Sequence, residues 1–124
     1  YLNRKKTCDS GKCAKTNYKV IKSFKNYFSE IECRIITGRT HQIRVHMQSI
    51  NCPIVGDQLY SKNRNISQSF SNNIRKFLKN FKRQALHSQH LSFSHPRSKI
   101  MKSFFTDMPN DMLNLKNKLA AEFN

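Results

Sequence analysis

The sequence predicts an α+β fold. Three observations carry that expectation. Residues 27–36 alternate apolar and polar side chains with period 2, as a half-buried strand does. Ile43, Met47 and Ile50 recur at i, i+4 and i+7, and Ile74, Phe77, Leu78 and Phe81 repeat the helical spacing. Gly or Pro punctuates the joins, and strand-like and helix-like segments come in runs rather than strict alternation.

Each element follows in chain order. Residues 1–15 are basic and polar and are expected to be an arm or loop, leaving 16–124 as the folded part. TNYKVIKSF (16–24) is a strand with Tyr18, Val20 and Lys22 facing one way. Lys25-Asn26 carries a turn into YFSEIECRII (27–36), with Ile31, Cys33 and Ile35 on one face and Glu32 and Arg34 on the other; the two strands form an antiparallel hairpin. Gly38 breaks the strand, and Thr40 is placed to N-cap a helix over 40–50. Asn51-Cys52-Pro53 ends it, because proline lacks an N–H and restricts its predecessor. PIVGDQLY (53–60) turns at Gly56-Asp57. Residues 61–72, rich in Ser and Asn, are a surface loop. A second helix presents Ile74, Phe77, Leu78 and Phe81 inward, with Arg75, Lys76, Lys79 and Lys82 off that face. ALHSQHLSFSHP (85–96) and SKIMKSFF (98–105) are strands joined at Pro96-Arg97. A last helix follows Pro109-Asn110, with Met112, Leu115, Leu119 and Phe123 on one side and Asp111 near its dipole-positive start.

The charge points to a polyanionic partner. Formal net charge is +16 over 124 residues, and no acid stands between Asp57 and Asp107 against ten Lys/Arg. Such an excess fits RNA or DNA better than a chain that is merely poor in acids. No apolar run approaches the roughly 20 residues that span a bilayer, so no membrane is expected and the cytoplasm is the default. A monomer is the default state. The chain does not begin with Met, which suggests a fragment or a processed product. The four cysteines, Cys8, Cys13, Cys33 and Cys52, lack the two tight pairs of a zinc module and are expected to be reduced. His41 and His46, at i, i+5, do not share a helix face, so metal is not expected there either.

The densest chemistry lies in TGRTHQIRVHM (37–47). If 28–36 is a strand and 40–50 a helix, GRT is the turn onto a helix N-terminus, whose free N–H groups attract anions. Arg39 sits on that turn. Arg44 lies one turn further, away from Ile43 and Met47, where a guanidinium can pair bidentately with a carboxylate or phosphate. Gln42 and His46 can add hydrogen bonds. The plain alternative is a wet basic helix face.

TGRTHQIRVHM, then PIVGDQLY, then LHSQHLSFSHP some thirty residues later, resemble the RluA family of RNA pseudouridine synthases, most closely the synthase C type among those that modify the large ribosomal subunit. The resemblance runs from about Tyr18 to the end and includes SKIMKSFFTDMPNDM. It implies a C-terminal part of the catalytic domain, with a mixed or antiparallel sheet and flanking helices. It implies isomerisation of chosen uridines in structured RNA, ribosomal RNA above all, with no cofactor and no metal. The target base must first be flipped from its stack.

The family's catalytic aspartate stands in an H-R-L-D-like motif upstream of the arginine block, and this chain has no such motif. Asp9 lies too close to the first matching strand, and Tyr18 does not match the family's active-site tyrosine. The resemblance therefore implies a fragment inactive alone. It makes Arg44 the partner of the missing aspartate, and gives Arg39, Thr40, His41 and Gln42 pocket and RNA contacts. Leu86 would pack near the flipped base; simple core packing is the equal alternative. Pro53, Gly56 and Asp57 read as turn-forming, and His87, His90 and His95 as hydrogen-bonding strand or turn residues. The other functional reading is a non-catalytic, basic RNA-binding remnant.

Overall fold

The computed structural model describes residues 3–7, 13–61 and 65–124. Its elements are β1 (Asn3–Thr7), β2 (Ala14–Phe24), β3 (Phe28–Ile35), α1 (Gln42–Ser49), α2 (Asn72–Asn80), β4 (His90–Ser94), β5 (Met101–Phe105) and α3 (Asn110–Phe123). The α+β expectation holds, as two separate antiparallel sheets, β1-β2-β3 and β4-β5, with three helices. The first correction is at the start. Residues 3–7 are not loop; they pair with β2 from Asn3↔Tyr18 to Thr7↔Ala14 and make it the central strand.

The expected hairpin forms with Tyr18↔Cys33 and Val20↔Ile31 in register, then a bulge between Val20 and Lys22. The extra residue lets β2 twist and shifts which side chains face inward. On β3, Phe28 and Glu30 share one face, and Ile31, Cys33 and Ile35 the other. Lys116 of α3 reaches Glu30 at 2.9 Å. Gln42 and His46 of α1 instead hydrogen-bond to Thr16, which opposes Ile35. The helices α3 and α1 therefore sit against opposite faces of the hairpin.

An aromatic core fills the α3 side. Phe24, Phe70, Ile74, Leu78, Phe81, Leu115, Leu119 and Phe123 are buried together. Phe70 meets Phe123 edge-on at 4.8 Å between centroids, and Phe28 tilts against Phe123 at 5.6 Å. Both amphipathic stripes read from the sequence, on α2 and α3, face this core. Ser71 caps α2 by accepting the Ile74 N–H, and also donates to Glu122.

Two boundaries differ from expectation for one reason: backbone groups are bonded elsewhere. The 85–96 segment is strand only from His90, because the Ala85 N–H goes to the Val55 carbonyl and Arg83 grips the carbonyls of Gln84 and Leu86. Likewise β5 starts at Met101, after a turn in which His95 Nδ1 accepts the N–H groups of Arg97 and Ser98. The reduced-thiol expectation holds at Cys33 and Cys52, but Cys13 is disulfide-bonded. Cys8 and the arm's remaining residues lie outside the described set.

Candidate active site

The turn and helix of TGRTHQIRVHM form as expected, but the capping differs. Thr40 is exposed and does not cap α1; His41 holds the N-cap position in the left-handed region, φ 51°, with no side-chain cap bond. Gln42 reaches back instead. Its Oε1 accepts the Arg39 N–H at 3.0 Å and the Thr37 hydroxyl at 2.7 Å. The first residue of the helix thus ties down the turn that precedes it, through an N–H three residues back. The Gln42 Nε2 donates to the Lys15 carbonyl and to Thr16 Oγ1.

Four hydrogen bonds occupy both lone-pair sites and both N–H groups of that amide. Gln42 is also only 6% exposed. It is a strut between the turn and β2, and the expected RNA contact is not available to it. His46 is buried as well, with Nδ1 2.8 Å from Thr16 Oγ1. These two polar residues and Met47 form the buried side of α1, while Ile43 and Ile50, expected in the stripe, are half-buried. Hydrogen bonding to Thr16 rotates the helix away from its apolar spacing. At its far end α1 stops at Asn51, φ 59°, and the Cys52 N–H returns to the Met47 carbonyl, the left-handed C-terminal closure open to Asn.

Arg44 meets Asp57, which the sequence marks only as part of a turn. Its Nε donates to Asp57 Oδ2 at 2.7 Å and its Nη2 to Asp57 Oδ1 at 2.8 Å, a side-on fork. The Asp57 side chain is wholly buried, and that of Arg44 is 14% exposed. Oδ1 also accepts the N–H groups of Leu59 and Tyr60, both at 3.0 Å. The guanidinium hydrogen bonds, ahead of the opposing effect of burial, hold the Asp57 carboxyl down to about 2. Tyr60 lies beneath Arg44, 5.0 Å from guanidinium carbon to ring centroid, and its hydroxyl is 3.1 Å from His41 Nδ1.

The turn holding Asp57 is fixed from below. Gly56 has φ +75° and packs against the backbone of Arg83 and the ring of Phe81, so tightly that a Cβ there would collide with the Arg83 carbonyl. Leu86 is half-buried and follows directly on Ala85, which is hydrogen-bonded to Val55. The structure thus brings His41, Arg44, Asp57 and Tyr60 into one cluster, with Arg39 and Thr40 exposed on the turn beside it. Leu86 joins through the backbone of the neighbouring segment. Asp57 and Tyr60 were missed as site residues. The available signal was that Asp57 is the only acid between Glu32 and Asp107, so a buried arginine in that stretch had one local partner to find.

The cluster can seat an anion. A guanidinium has five N–H groups; Asp57 takes one from Nε and one from Nη2, which leaves the Nη1/Nη2 end as a second fork for a carboxylate or phosphate. Among the described residues no three His, Cys, Asp or Glu side chains converge as a metal site. The Cys33 thiol, raised to about 11 by burial and then by Glu32, is protonated at neutral pH and is no nucleophile.

Comparison with known proteins agrees with the motif words. A family model described as RNA pseudouridylate synthase matches residues 1–49. The chain is 40% identical over 113 residues to the ribosomal large subunit pseudouridine synthase D of Haemophilus influenzae, covering 91% of this chain and 35% of that protein. It is 41% identical over 112 residues to the Yersinia pestis protein of the same name, 90% of this chain and 34% of that one. With the Zymomonas mobilis protein it shares 44% over 102 residues, 82% and 30% of the two chains. All three carry the synthase D designation where the motif words pointed to synthase C. The chain spans about a third of the length of these relatives. Over about nine tenths of its length this chain is similar to part of an RluA-type RNA pseudouridine synthase.

Proposed function

We propose that this chain is the C-terminal part of the catalytic domain of an RNA pseudouridine synthase that acts on uridines of large-subunit ribosomal RNA. The reaction breaks the N1–C1′ bond of a flipped uridine, turns the uracil and joins C5 to C1′. N1 gains a proton and C5 loses one, so no oxidant or cofactor enters the balance. The catalytic carboxylate comes from an upstream segment. Arg44 receives it on its open Nη1/Nη2 fork, orients it and keeps it ionised, since an opposite charge within about 4–6 Å favours the carboxylate. Arg39, Thr40 and His41, exposed at the turn, meet the RNA backbone, and Leu86 borders the base. Lysines and arginines elsewhere on the chain supply sequence-independent affinity. The protein works as a cytoplasmic monomer, with residues 16–124 as its catalytic part.

The observation that carries this reading is the side-on anchoring of Arg44 by a buried Asp57, which presents one guanidinium edge in a fixed direction. The test uses the natural polypeptide carrying this sequence and ribosomal RNA labelled with tritium at uridine C5. Tritium release by the unaltered protein, lost in Arg44→Ala while RNA binding stays within a few-fold, is the expected result. Undiminished release by Arg44→Ala sinks the assignment. The net charge of +16 favours one other reading, a basic RNA-binding remnant without chemistry. It predicts no tritium release but RNA affinity that falls steeply with salt.

A further inference from the structure

We infer that Asp57 is a positioning residue for the reaction, with Tyr60 as the floor on which Arg44 is held; the inference rests on the reading just proposed. An arginine side chain has four rotatable bonds, and a free one samples many rotamers, at a cost of up to about 2 kcal/mol to fix. Here three contacts remove that freedom before any substrate arrives. Asp57 grips Nε and Nη2 from one side, and the Tyr60 ring lies 5.0 Å below. The third contact is indirect, through the His41 ring 3.1 Å from the Tyr60 hydroxyl.

Asp57 is not a loose acid that happens to be near. Its Oδ1 is fixed by two backbone N–H groups before Arg44 is counted. Its side chain is fully buried, and the Gly56 turn that carries it is wedged against Arg83 and Phe81. An acid filling in for an absent partner would not be built into the backbone in this way. Asp57 occupies one edge of the guanidinium, so the other edge is turned as a directed, positively charged fork toward the upstream carboxylate. Misplacing a catalytic group by about 1 Å can lower a rate about 100-fold, and loss of Asp57 would free Arg44 by at least that much.

The test measures turnover and RNA affinity in the natural polypeptide for Asp57→Asn, Tyr60→Leu and Tyr60→Phe. Asn at 57 keeps an oxygen for the Leu59 and Tyr60 N–H groups but loses the charge and the fork. The expected result is kcat lowered about 100-fold with KM for RNA within about threefold, and a smaller kcat loss, about tenfold, in Tyr60→Leu. Tyr60→Phe keeps the ring under Arg44 and loses only the hydroxyl contact to His41, so its kcat loss is expected to be smaller than that of Tyr60→Leu. If Asp57→Asn does not fold, the Tyr60 pair decides: equal rates in Tyr60→Leu and Tyr60→Phe overturn the inference. Unchanged kcat in a folded Asp57→Asn, with Arg44→Ala inactive, overturns it alone. Matched losses in kcat and thermal stability, restored together by lower temperature, assign Asp57 to the scaffold and also overturn it. An inactive unaltered protein, or full activity in Arg44→Ala, removes the reading beneath it.

Discussion

A single ion pair governs the electrostatics of the site. Removing one member of a buried pair strands the other, which costs about 3–5 kcal/mol; Asp57→Ala is therefore expected to lower unfolding free energy by about that amount in denaturant titrations. The same pair makes a pH prediction. The folded Asp57 carboxyl titrates near 2, below its ordinary value of 3.8. The unfolded chain thus binds the proton more readily, so the stabilisation is complete above the ordinary value and fades as pH falls through about 2. The stability gap between the unaltered chain and Asp57→Asn should be widest above about pH 5 and shrink on acidification between roughly 4 and 2. Gln42 gives the matching neutral case. Gln42→Ala would leave the Arg39 N–H without its acceptor and the Lys15 carbonyl with only the Ile36 N–H; the unmade bond at Arg39 costs about 1–3 kcal/mol. A thermal transition unchanged by that variant would contradict the strut assignment.

Among the elements, the 53–61 turn and the segment after α2 act as one piece. Gly56 touches Arg83 and Phe81, the Val55 carbonyl accepts the Ala85 N–H, and Arg83 pairs with Asp111 at the start of α3. A methyl at 56 meets a backbone carbonyl and an unfavourable φ together. Gly56→Ala is expected to cost several kcal/mol, at the upper end of single substitutions, and to disturb the Arg44–Asp57 fork, visible as lost cooperativity in unfolding. Asp111→Asn tests the other end. Its pair with Arg83 is half exposed, and exposed pairs contribute about 0–1 kcal/mol, so its melting temperature should barely move. The contrast between these variants separates shape from charge as the source of rigidity in this part of the fold.

For the whole molecule, burial is unevenly divided. The aromatic core on α2 and α3 is closed, and Phe123→Ala should cost about 3–5 kcal/mol there. Every residue of β4 and β5 is exposed, including Leu91, Phe93, Phe104 and Phe105, with Phe93 and Phe104 stacked at 6.0 Å. Val20 and Ile35 on the first sheet are also about half exposed. Apolar surface of this extent binds hydrophobic dyes. A Phe104→Thr, Phe105→Thr double variant of this chain is expected to bind less dye with little change in stability, since neither ring supports the core.

The sequence alone determined the α+β class, the β2–β3 hairpin, the two amphipathic helices and the family resemblance, because those rest on local periodicity and on ordered motif words. It also read His90 and His95 as strand and turn hydrogen-bonding residues, as they are; His87 hydrogen-bonds too, to the Thr106 carbonyl, but lies before the strand. Burial of Gln42 and His46 was not legible in it. Apolar spacing cannot register a helix turned by hydrogen bonds to Thr16, a residue far back in the chain. Nor could it assign Asp57 to Arg44, although the lone acid in a cationic stretch was a usable sign. That pairing depends on how a wedged glycine turn is docked beside α1. Spacing along the chain fixes which side chains share a face. Only tertiary packing decides which polar groups meet across faces, because a buried charge must be satisfied wherever the fold places its partner.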